Sequence, residues 1–146
     1  MTNARSELTL PDEWLKIAER RGTIRLILDG HDGPDAPIGV LGLCRQTLVL
    51  LAQAVYFQQS GDEASAEFPT KQTYQRFLDI FFEETLDQAG LHHSANSARK
   101  LLDEVYPFLN LPEATHAESI ACAELTKSIV NVVADIVGVN ARAVSG

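Results

Sequence analysis

Catalytic signatures are missing from this chain of 146 residues. It has no GxSxG nucleophile elbow, no Walker A loop, no GxGxxG turn and no HExxH zinc pair. Cysteine is scarce. Cys44 and Cys122 are far apart and form neither a CxxC pair nor a ligand cluster. They read as free core thiols, which excludes a disulfide framework and fits a reducing compartment. Positive charge is also short, with 12 Lys and Arg against 20 Asp and Glu for a net charge of -8. Such a chain is repelled by phosphate backbones, which disfavours direct nucleic-acid binding. The same charge speeds association with a basic partner, and it also serves plain solubility. The opening residues MTNARSELTLPDEW hold no hydrophobic signal region. No internal repeat or low-complexity tract is present.

What the chain has instead is Ile38–Phe57, IGVLGLCRQTLVLLAQAVYF, apolar almost all round with Arg45 as its only charge. It has the length of a membrane span. However, Arg45, Gln46, Thr47 and Gln53 interrupt it, and its longest strongly apolar run is only Leu48–Ala52. A lone arginine at mid-bilayer costs roughly 2.5–3.5 kcal/mol even on a mild scale. A helix hydrophobic on every face belongs inside a bundle. Residues 38–58 therefore read as the buried central helix of a soluble, cytoplasmic protein with no membrane partner.

Other helices assemble around it. Thr9 and Pro11 open the first, with Asp12 and Glu13 favoured by its dipole. Leu10, Trp14, Ile17, Arg21, Ile24 and Leu28 keep a four-three spacing across Gly22. This favours one long helix over a strand at residues 23–28, at a cost of about 1 kcal/mol for the glycine. Asp29–Pro37 is a Gly/Pro-rich loop, and Ser60–Glu67 is a polar connector. Thr70 is expected to cap a third helix ending at Gly90, and Ser94 a fourth that Pro107 ends or kinks. Thr115 and Glu118 form a capping box opening a fifth helix to about Val137. Residues 141–146 are expected to be a disordered tail. The expected fold is an all-α, single-domain bundle of about five helices spanning residues 1–146. Phe77, Phe81, Leu101, Ile129 and Val132 are expected among its packed residues.

Four features are candidate sites. Arg45 shares a face with Ile38, Leu41, Val49, Ala52 and Tyr56, and is expected to be a buried charge or an anion site. A guanidinium cannot be buried unpaired, so an acid such as Asp29 or Asp35 is its expected partner, with partial exposure by snorkelling as the alternative. Gly39, Gly42, Gln46 and Gln53 lie along a second line of the same helix, suiting close helix packing, a groove or a homodimer seam. Asp79, Glu83 and Asp87 fall at i, i+4 and i+8, an acidic ridge that reads as a solvated face or as the docking surface for a basic partner. In the loop, Asp29, His31, Asp32 and Asp35 offer a weak metal set that fails the EF-hand template. Arg25 and His31 have a spacing similar to the Arg/His pair of the helical HEPN ribonucleases, but this chain is not assigned to that family. The expected function is a non-enzymatic acidic interaction protein of immunity, inhibitor or accessory type, without cofactor, binding a basic protein. The alternative is a small metal-dependent or HEPN-like hydrolase using Arg25, His31 and Asp32.

Overall fold

The computed structural model describes residues 12–30, 33, 35–60, 68–88 and 90–139. Five α-helices occupy these residues: α1 Asp12–Gly30, α2 Ala36–Ser60, α3 Tyr74–Leu86, α4 His92–Leu109 and α5 His116–Val137. Residues 141–146 lie outside the described residues. The helices pack on one another as a bundle, with α2 at the centre touching the other four. By length and composition α2 is long and apolar enough to cross a bilayer. Its apolar character is instead used inside the bundle, where Val40, Leu41, Cys44, Leu48, Leu51, Ala52, Ala54 and Val55 are all buried. They join side chains of the other helices in one contiguous core.

Local sequence explains most helix bounds. Residues 23–28 are helical, and α1 crosses Gly22 without a break. Trp14, Ile17, Arg21 and Ile24 face the core in the repeating three-four pattern. The start of α5 is the expected capping box. Thr115 Oγ1 accepts from the Glu118 N–H at 3.1 Å, and Glu118 Oε1 accepts from the Thr115 N–H at 2.9 Å. Gly138, at φ 82°, closes that helix in the left-handed conformation glycine adopts freely.

Two starts differ from expectation. Thr70 does not cap α3. It opens a turn in which its N–H donates to Thr73 Oγ1 at 2.9 Å, and regular helix begins at Tyr74. Ser94 lies inside the first turn of α4, because Gly90 turns the chain at φ 83° and lets the helix begin at His92. Helix α4 also runs past Pro107 and ends at Leu109.

Buried polar groups are handled locally. Thr47, Thr85 and Thr126 each donate to the carbonyl four residues back, at 2.7 to 2.8 Å. Cys44 and Cys122, distant in sequence, are brought within hydrogen-bonding reach of each other between α2 and α5. Both are free and fully buried. The hydrogen bond to Cys44 and then burial push the Cys122 thiol up, so it remains protonated.

Candidate functional site

The guanidinium in the interior is that of Arg21, not Arg45. Arg21 is 9% exposed, and its Nη1 has no hydrogen-bond partner. Burial, and then the like charge of Arg25, lower its pKa, with Glu124 acting in the opposite sense. The sequence pattern already contained this residue in the apolar stripe of α1. Arg45 is exposed. It makes no salt bridge with Asp29 or Asp35; its Nη2 donates to the Leu109 carbonyl at the end of α4. That carbonyl has no acceptor duty within its own helix, so Arg45 ties α2 to the α4 terminus.

The glycine line of α2 does not pack closely against another helix. A methyl group built on Gly39 or Gly42 meets no atom within 4 Å. Gly42, Gln46 and Gln53 instead border an open groove.

On α3 the three ridge acids have different surroundings. Glu83 is exposed and pairs with Arg99 of α4 at 3.4 Å, the only ion pair among the described residues. Asp79 is half-buried against α4. Burial, and then Asp103, raise its pKa; Arg99 opposes this and Glu83 adds to it. Asp87 is exposed at the C-cap of α3, where a negative charge meets the unfavourable end of the helix dipole. Tyr106 of α4 lies near this cluster with its hydroxyl unpartnered. Its pKa is pushed well above the ordinary range by burial first and then by Asp79. Acids from two helices thus converge, with Arg99 as the cation among them.

Beside this ridge is a hollow that the sequence did not reveal. It has a volume of about 300 Å³ and is lined by Tyr56, Gln59, Phe77, Ile80, Phe81 and Glu84, among others. Tyr56 makes edge-to-face contacts with Phe68, at a centroid distance of 5.0 Å, and with Phe77, at 6.1 Å. Ile80 is 43% exposed and Phe68 42%. Ile80 lies three, four and seven positions before Glu83, Glu84 and Asp87, so these acids share its side of α3. Tyr56, Phe68 and Phe77 come from three separate segments, so no local pattern announces their meeting.

Of the loop candidates, Asp29, Asp35 and Arg25 are among the described residues. Asp29 and Asp35 are exposed at the end of α1 and just before α2, and Arg25 is exposed on α1. His31 and Asp32 lie outside the described residues. Among the described residues, no three of His, Cys, Asp and Glu are grouped to hold a metal ion. No protein family, curated protein or solved structure matches the chain.

Proposed function

We propose that this chain is a non-enzymatic interaction protein that docks a basic partner on the exposed side of α3. The reading is carried by the placement of an aromatic hollow, with Ile80 and Phe68 exposed, beside Glu83, Glu84 and Asp87. Protein interfaces draw their affinity from apolar and aromatic anchors that exclude water, while rim charges set orientation and association rate. The fitting partner is a cationic segment, its Lys or Arg side chains facing the acids and one apolar side chain entering the hollow. Immunity proteins, inhibitors and accessory factors all work by such docking. The two reduced, buried thiols support a cytoplasmic setting.

The test is capture of partners from native host extract by the wild-type chain and by a variant carrying Ile80→Ser and Glu84→Gln. Both positions are exposed, so the fold is expected to survive. A partner held at low salt, released at high salt and lost by the variant is the expected result. A partner retained equally in both salts, or equally by the variant, overturns the proposal.

A further inference from the structure

A second groove lies further toward the N-terminus of α2. It has a volume of about 460 Å³, and Arg20 of α1, Arg45 of α2 and Lys71 of the turn before α3 all line it. Three of the chain's 12 basic side chains thus border one groove in a protein of net charge -8. Its described lining residues include no Asp or Glu. None of the three cations makes a salt bridge within the described residues.

Their existing bonds are to neutral groups. Arg20 Nε donates to Gln46 Oε1 at 3.1 Å, which holds that guanidinium across the α1–α2 seam. Arg45 Nη2 donates to the Leu109 carbonyl. Gln53 Nε2 donates to the Pro69 carbonyl at 3.0 Å, fixing the groove's far end near Lys71. These bonds position the cations without neutralising them. Among the described residues no carboxylate faces these cations in the groove, so an anion entering it meets their charge uncompensated by such a group. Val49 and Leu50 add apolar wall, and Gly42 leaves an open floor.

We infer that this groove binds a small phosphate monoester with an apolar or aromatic body. A phosphate monoester carries about -1.5 to -2 charge at neutral pH and three acceptor oxygens. A dianion gains more from a groove wall carrying two guanidinium groups and one ammonium than a singly charged carboxylate does, and an arginine fork can take two of its oxygens. The volume lies within the range of small-molecule sites, roughly 300–1,000 Å³, and leaves space for the organic part against Val49 and Leu50. The site is independent of the partner surface proposed on α3.

The test is isothermal titration of the whole chain with phenyl phosphate, inorganic phosphate and benzoate. Phenyl phosphate is expected to bind tightest: inorganic phosphate lacks the apolar body, and benzoate carries a single charge. Lys71→Gln and Arg20→Gln are each expected to weaken phenyl phosphate by about three- to tenfold. Both residues lie at the surface, and circular dichroism will show the variants folded. Lys100→Gln, an exposed cation of α4 outside the groove, is expected to leave the affinity unchanged. Absence of phenyl phosphate binding at millimolar concentration overturns the inference. So does benzoate binding as tightly as phenyl phosphate, or an affinity indifferent to both groove substitutions.

Discussion

Two hollows lie along one face of α2 and differ in charge. Arg45, Val49 and Gln53 line the first, and Tyr56 and Ser60, one and two turns further on, line the second. At 1.5 Å per residue, Arg45 and Ser60 are about 22 Å apart along the axis. The first hollow takes its charge from Arg20, Arg45 and Lys71, and the second sits beside Glu83, Glu84 and Asp87. The net charge of -8 describes neither of them. An overall balance governs solubility and long-range steering, but recognition is decided by which charges the fold places next to which walls. One helix thereby borders two hollows with opposite charge beside them.

Both hollows rest on one core, and cutting into that core disturbs them together. Leu48→Ala, in the fully buried face of α2, is expected to cost about 2–5 kcal/mol and to weaken both binding activities together. Urea unfolding beside the two binding assays checks this; loss of one activity alone contradicts a common scaffold. Arg21 comes next. Its unpartnered Nη1 is a buried donor whose desolvation is not repaid, so Arg21→Met is expected to stabilise the fold, by about 1–3 kcal/mol. Arg45→Met, which instead removes the bond to Leu109, is expected to lower stability. Equal and same-signed shifts in urea midpoint would show that the two arginines have not been told apart.

Smaller changes sharpen the contrast. Gly22→Ala and Gly42→Ala both add a methyl group to open space in a helix, and each is expected to add about 0.5–1 kcal/mol of stability. Only Gly42→Ala borders the cationic groove, so it alone is expected to change phenyl phosphate affinity. The smallest effect is the pH response of Asp79. Its pKa in the folded state lies above the ordinary 3.8. The folded protein therefore holds that proton more tightly than the unfolded chain, and stability falls as pH rises from the ordinary value through the raised one. Asp79→Asn removes this loss. Its advantage over the wild type in urea unfolding is expected to be larger at about pH 7 than at about pH 3.5. An advantage independent of pH contradicts the clustering of Asp79, Glu83 and Asp103.

The all-α architecture was legible because helical periodicity is local. The spacing of Trp14, Ile17, Arg21 and Ile24 carried α1 across Gly22, and the reciprocal bonds of Thr115 and Glu118 opened α5 where the motif predicts. Burial of individual charges was less legible. Arg45 is surrounded in sequence by apolar residues, which suggested an interior position, whereas Arg21 sits in a helix of mixed composition. A helical wheel gives the face of a residue but not which neighbour approaches it. Arg45 lies on a side that α1 and the turn before α3 leave open, while Arg21 is covered between α1 and the helices beside it. The hollows were least legible. Arg20, Arg45 and Lys71 come from three segments, as do Tyr56, Phe68 and Phe77. Their convergence is a property of helix packing that no short window of sequence contains. The acidic ridge was visible by its i, i+4 spacing, but the involvement of Asp79 with Asp103 and Tyr106 depends on the docking of α4.

We propose the acidic side of α3 as a built docking surface and not merely a solubilising one. Two-dimensional amide NMR of the labelled chain, titrated with a Lys- and Leu-rich amphipathic peptide, tests it most directly. Saturable shifts confined to residues 77–87 and to Tyr56–Ser60, with Arg45–Gln53 unmoved, are the expected result. Weak, unsaturable shifts spread over every acidic residue of the chain would contradict it.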